Sequence, residues 1–367
     1  MIRILLTIII FLPIFSHGQQ TFVRQLEGDS FERFEGVVAN GDTIKNGNYF
    51  YYKNPETIYQ SGTYRNDTMQ GMWIVFYPSG RMKSTYQYTQ NKKNGTFRHY
   101  YPMGTIYQEG SYKDDSLHGR LITQNQKESV AEISHYKNGV KHGIDSVFYN
   151  NGTLQTIQEY RDGQQDGLYK SYYESGKLNY CGKRSSKGFV DSLTVYFENG
   201  TVKRRSFYSK GVLEGVALSY YSTGEFQAQT EYRSDKRHGS YLKFYPNGRV
   251  AEKGTFENGD RVGVWRAYHP NGGVYTMGSY SNNELSGEWT VFYADGTIKQ
   301  SGDYEIGVSH RRWKYFHENG KIANIGKFHY GNKVGYWLWF STEGVVLQKA
   351  MYVNGNLVKV QQLNVEE

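Results

Sequence analysis

From residue 47 onward, apolar and polar positions recur with a fixed spacing of 24. Taking Gly47 as position 1, that position returns as Gly71, Gly95, Gly119, Gly143, Gly167, Asp191, Gly215, Gly239, Gly263, Gly287, Arg311 and Gly335. Position 6 is a ring from Tyr52 to Phe340, with Gln124 the exception, and position 12 is apolar from Ile58 and Met82 to Ile322 and Val346. Position 18 is aromatic except at Arg184. Several columns held in one phase do not arise from composition, so 47–358 reads as thirteen repeat units without insertion or deletion.

Each unit predicts a β-hairpin. In the unit that starts at Gly239, Tyr241 to Tyr245 is rich in strand-favouring residues. Pro246 fits the first central position of a type I turn, Asn247 the second, and Gly248 the left-handed residue that a following bulge requires. That turn sets position 7 opposite 11 and position 6 opposite 12, pairing an aromatic ring with an aliphatic side chain. The second strand runs through Gly254 to Phe256 and ends in the turn Glu257-Asn258-Gly259-Asp260. Glycine at position 16 (Gly62, Gly110, Gly182, Gly254, Gly278, Gly302, Gly326) should weaken a strand. Either a neighbouring ring packs over its bare backbone or a bulge sits there.

The predicted fold is all-β, an elongated antiparallel β-meander or solenoid of about 26 strands, two per unit. Residues 19–46 hold one imperfect hairpin, Phe34 to Ile44, that caps the first edge; the polar tail 359–367 is placed to cap the other. The unit 119–142 is degenerate, because Gln124, Asn125 and Glu128 replace the ring pair and the turn glycine. It reads as a bend or as a drifted but ordinary repeat.

Composition fits thin sheets. Only 38% of residues are hydrophobic, too few for large three-dimensional cores, yet 35 tyrosines and a net charge of +8 do not match disorder. The start of the chain resembles a secretory signal over 1–18. Arg3 precedes an apolar run from Ile4 to Phe15, with small residues at Ser16 and Gly18 and cleavage expected after Gly18. The run is short for a membrane-spanning helix. The protein is therefore expected to be exported to the periplasm, cell surface or medium. Cys181 is the only cysteine, which leaves no internal disulfide.

Tyr136-Lys137-Asn138-Gly139-Val140-Lys141-His142-Gly143 is similar to the MORN signature of an aromatic residue, an Asn-Gly turn, a basic residue, His and Gly. The stretch Phe256 to Trp265 matches without the histidine, and the Trp-x-x-Tyr/Phe-Tyr-x-x-Gly pattern resembles the bacterial variant of that repeat. The resemblance covers 47–358. It implies a β-repeat sheet used as a binding or assembly module; some bacterial relatives are catalogued as antitoxins, and eukaryotic ones are associated with membrane phosphoinositides and scaffolding. An export signal departs from what a cytosolic antitoxin needs.

The search for chemistry returns little. Gly28-Asp29-Ser30 resembles an esterase nucleophile block, but no Asp-x-x-His completes a triad, and a turn serine is the simpler reading. His118, His142, His238 and His310 share position 24. Equivalent residues of adjacent units lie roughly 9.6 Å apart, too far to converge on one ion at about 2.1 Å. Catalytic, metal and cofactor sites are expected to be absent, as are small-molecule substrates and nucleic acid.

Two features carry candidate binding. Trp265, Trp289, Trp313 and Trp337 occupy position 3 of successive units, preceded by Tyr241. Such a ladder would stack an extended glycan, or else pack the sheet itself. Basic clusters at Lys203-Arg204-Arg205, Lys236-Arg237-His238 and Arg311-Arg312 would attract an anionic envelope surface, or serve as a solvated face. The leading expectation is an exported scaffold for a protein partner, followed by a glycan-binding module and then an antitoxin or immunity protein.

Overall fold

A computed structural model describes residues 18–363; the expected signal over 1–18 lies almost entirely outside them, as does the end of the tail. Among the described residues there is no helix, and the thirty-two strands pair antiparallel. The chain divides into two compact units, 1–177 and 178–367. Each is a meander in which a strand pairs with the one before it and the one after it.

The predicted register holds residue by residue. In the Gly239 hairpin, Lys236–Phe244 pairs with Val250–Glu257, and Phe244 stands opposite Val250. The Tyr245 N–H donates to the Arg249 carbonyl at 2.8 Å and the Gly248 N–H to the Tyr245 carbonyl at 2.9 Å, closing the tight turn. Gly248 has φ +79°, the left-handed conformation that the bulge after the turn demands. The second turn is a two-residue one with both φ values positive, +53° at Asn258 and +104° at Gly259. Such mirror-image turns match the strand twist, which is why Asn, Asp or Gly fills position 21 in every repeat but the one with Lys187, while position 20 also admits Gln90, Ser234, Ile306 and Tyr330.

The strand number exceeds the expected 26 for two local reasons. Bulges split three first strands, at Ser116–Leu117 and Gly119–Gln124, at Val140–Lys141 and Gly143–Phe148, and at Val212–Leu213 and Gly215–Tyr220. Further strands lie wholly or partly outside 47–358. Gln20–Gln25 and Phe31–Ala39 pair within the first edge, and Asn356–Gln362 extends into the polar tail and pairs with Val346–Val353.

Three sets of hydrogen bonds along the hairpin ends were invisible in the sequence. Tyrosine at position 7 donates to the carbonyl of position 6 in the next repeat, as from Tyr77 to Tyr100 (2.7 Å), Tyr149 to Tyr172 (2.8 Å) and Tyr245 to Tyr268 (2.7 Å). Asparagine at position 9 does the same two residues on, to position 8 of the next repeat, from Asn271 to the Ala294 carbonyl and from Asn319 to the Thr342 carbonyl, each at 2.8 Å. At the opposite end, Asp or Asn at position 21 accepts the N–H of position 23 in the preceding repeat, as Asn91 does from Met69 at 2.7 Å. Each turn is thus tied to its neighbour as well as closed on itself.

The degenerate repeat keeps its turn. The Asn125 N–H donates to the Ser129 carbonyl, and Glu128 takes φ +61° where every other repeat except the first has glycine. A side chain in that conformation costs roughly 1–2 kcal/mol. Glu128→Gly is therefore expected to stabilise the protein by about 1 kcal/mol, read as a higher urea midpoint at unchanged slope; a lower midpoint would show that the glutamate has a compensating contact.

Candidate interaction surface

Strand alternation sends neighbouring residues to opposite faces. Position 3 faces inward: Trp73, Trp313 and Trp337 are 1% exposed and Trp265 is 2% exposed. Position 2, one residue earlier, faces out, and there Met72, Ile144, Val264 and Tyr336 are 58%, 48%, 49% and 54% exposed. Phe207 at position 17, 47% exposed and opposite Ser192 of position 2, joins the same column.

The inward face explains the strand glycines. A Cβ built on Gly62 would fall inside the Trp73 ring, and the same holds for Gly254 under Trp265, Gly278 under Trp289, Gly302 under Trp313 and Gly326 under Trp337. Each indole lies flat on the bare backbone of the strand before it. The register also slips beside Gly278 and Gly302, so ring cover and bulge occur together. Position-18 rings then stand edge-on between the indoles, with centroid separations of 5.0 Å for Phe256–Trp265, 5.6 Å for Tyr280–Trp289, 5.1 Å for Tyr304–Trp313 and 5.0 Å for Phe328–Trp337. Edge-to-face contact is the favoured aromatic arrangement. The Arg261 guanidinium lies 4.2 Å from the Trp265 ring and the Lys333 ammonium 4.4 Å from that of Trp337. The indole N–H groups of Trp313 and Trp337 donate to the Asp303 and Lys327 carbonyls.

Tyr241, Trp265, Trp289, Trp313 and Trp337 are thus brought together as one packed row, with Tyr241 5.5 Å from Trp265. Trp289 and Tyr241 are half-buried. A glycan stacking on Trp265, Trp313 or Trp337 would first have to displace the rings and cations that cover them. The basic clusters are divided: Arg204 and Arg237 lean over Tyr232 and Phe256 on the aromatic face, while Arg312 is exposed on the other.

The aromatic row is replaced by charge in one place. Asp145 occupies position 3 and is 1% exposed, with Lys141 2.5 Å away and Glu132 3.2 Å from the same ammonium. Ser134 donates to Glu132 at 2.7 Å. Burial alone would raise the Glu132 carboxyl, but hydrogen bonds from Ser134 and Lys141, with the Lys141 charge, hold it below the usual carboxylate range. Burial alone would lower Lys141; its bond to Asp145 and the two negative charges push it above the usual lysine range instead.

Two of the four position-24 histidines share a role, which His118 and His142 do not take. His238 and His310 accept, at Nδ1, the backbone N–H of Asn258 and Tyr330 in the next turn, at 3.4 and 3.3 Å. Glu214 does the same for Ser234 at 2.9 Å. Among the described residues no group of His, Cys, Asp and Glu has the geometry of a metal site. Ser30 donates its hydroxyl to the Glu27 carbonyl at 2.5 Å, the bonding of a turn serine.

The model of the MORN repeat variant matches six segments, 93–114, 165–182, 237–258, 261–282, 285–305 and 312–330, in phase with the hairpins just described. These six segments are MORN-variant repeats. No curated protein matches it. Among solved structures, "Crystal Structure of TcdB2-TccC3-Cdc42" is 11% identical with a TM-score of 0.17, covering 92% of this chain and 23% of that one. "Structure of Photorhabdus luminescens Tc holotoxin pore, Mutation TccC3-D651A" is 11% identical with a TM-score of 0.16, covering 95% and 20%. This chain spans less than a quarter of the length of either, and neither likeness speaks to fold or function. In MORN terms, the glycine of one repeat and the tryptophan of the next are a single packing unit.

Two outcomes follow for this array of repeats. Trp313→Ala should cost about 3–5 kcal/mol by denaturant unfolding. Gly302→Val should also destabilise, and the two costs should fall well short of adding, because both remove one contact; full additivity would show that the ring does not depend on the glycine. The Glu132–Lys141 cluster should contribute stability at neutral pH. The depressed Glu132 makes its share fade as pH falls through the carboxylate range, and the raised Lys141 makes its share fade only above the usual lysine range. The Lys141→Met variant should flatten the acid side of the profile; an unchanged acid side would refute the coupling.

Proposed function

We propose that this chain is an exported, non-enzymatic scaffold that holds a protein partner on the outward face of its hairpins. MORN repeats are in general protein- or membrane-interaction modules and form a non-enzymatic repeat family. The observation that carries the reading is the contrast between adjacent columns. The inward face spends its aromatic residues on itself, whereas Met72, Ile144, Phe207, Val264 and Tyr336 stand exposed in the outward column. Within 178–367, the exposed Phe207, Val264 and Tyr336 of the outward face gain little for the isolated fold and support a contact surface there. Aliphatic side chains such as Ile144 and Val264 offer no ring for a sugar to stack on, which favours protein over glycan. Export rests on the leader-like pattern of 1–18.

Val264→Ser together with Tyr336→Ser should leave stability within about 0.5 kcal/mol of the parent, as substitutions at exposed sites do. The same pair should abolish partner capture from the cell envelope. Capture that survives them would place the contact elsewhere. N-terminal sequencing of the protein recovered from outside the cytoplasm should begin at Gln19; an intact Met1 in that fraction would refute cleavage.

A further inference from the structure

On the outward face of the 178–367 unit, cations stand directly opposite cations. Lys253 pairs with Arg266 across neighbouring strands, and Arg312 pairs with Lys327. Like charges set directly opposite each other destabilise a sheet. Among the described residues no carboxylate lies within ion-pair distance of these four side chains. The Lys253 ammonium lies 5.7 Å from the Tyr268 ring, whereas Arg312 and Lys327 have no such ring contact and stand as an unfavourable pair.

Both pairs adjoin the exposed apolar column. Val264 lies two residues before Arg266 on the same strand, and so on the same face. Tyr336 lies on Asn332–Phe340, the strand paired with that of Lys327. On its other side the Lys349 ammonium rests 4.1 Å from the Tyr336 ring. The patch around Tyr336 thus joins one exposed ring to Arg312, Lys327 and Lys349. Between this patch and the Lys253–Arg266 pair stands Glu288 opposite Asp303, an acidic pair, so the two basic pairs are separate contact points.

We propose that the partner of this face is an acidic protein segment, which sets carboxylates on the Arg312–Lys327 and Lys253–Arg266 pairs and apolar side chains on Tyr336 and Val264. This rests on the protein-partner reading above and names the chemistry of that partner. Carboxylates neutralise the like-charge repulsion, so the interaction recovers what the isolated sheet loses. Charge complementarity of this kind sets specificity and association rate and is screened by salt. An anionic polysaccharide would satisfy the cations but would leave Val264 without an apolar contact.

The test uses the whole chain and three probes: a short fluorescent peptide alternating Glu with Val, its Gln-for-Glu counterpart, and an oligouronate. The Glu peptide should bind in low salt and weaken about tenfold when salt is raised past the screening range. The Gln peptide and the oligouronate should bind at least about tenfold more weakly. Arg312→Glu sets a carboxylate opposite Lys327, so it should raise the thermal midpoint while lowering affinity for the Glu peptide. That opposite movement separates a binding role from a structural one. Equal binding of the Glu and Gln peptides, unchanged affinity in Arg312→Glu, or preferred binding of the oligouronate would each overturn the proposal. Envelope capture that is lost in the Val264→Ser, Tyr336→Ser pair yet indifferent to Arg312→Glu would end this inference while the protein-partner reading stands.

Discussion

The structure depends on one contact, an indole laid flat on the bare backbone of a neighbouring strand. A single sheet has no second layer to cover its apolar side, so each ring must find its cover among adjacent strands. Gly302 under Trp313 and Gly326 under Trp337 provide the floor, while Tyr304 and Phe328 provide the walls. Because the floor belongs to one repeat and the ring to the next, no hairpin is complete alone. The turn-end hydrogen bonds, such as that from Tyr245 to the Tyr268 carbonyl, follow the same rule. Stability in such an array is local in origin and additive along the chain.

The consequence for function is a division of labour between faces. Rings on the inward side are committed to packing, so a partner meets the column one residue away. That column varies from Met72 to Arg312 to Tyr336 while the packed column keeps to rings and aliphatics across the later repeats. The exception at Asp145 shows the cost of departure: a buried carboxylate there requires Lys141, Glu132 and Ser134 around it. A buried charge survives only when paired and hydrogen-bonded.

Much of this was legible in the sequence because turn geometry and side-chain period reinforce one another. Pro246-Asn247-Gly248 set the 6-to-12 pairing, and Asn258-Gly259 set the second turn. The glycines of position 16 pointed to ring cover without saying which ring, since that requires knowing that position 3 of the next repeat lies across the strand. The same gap left the tryptophan row open as a ligand platform. A ring's burial depends on cross-strand neighbours roughly ten residues away, which a column of identical residues does not reveal. The outward column was overlooked for the opposite reason: Met72, Ile144, Val264 and Tyr336 share exposure but no residue type. The Asx caps and histidine acceptors were missed because their partner is a backbone N–H in the next turn.

Pairing only with chain neighbours also shapes how the protein reaches this state. Every strand finds its partner a few residues away, so loop closure costs little and folding can begin at any hairpin. The run from Phe256 to Trp337, where ring follows ring without a gap, is the natural place for such a seed. From there growth proceeds outward one hairpin at a time, and loss proceeds inward from whichever edge is weakest. The exposed strand Asn356–Gln362, with a single neighbour among the described residues, is the first to come and go.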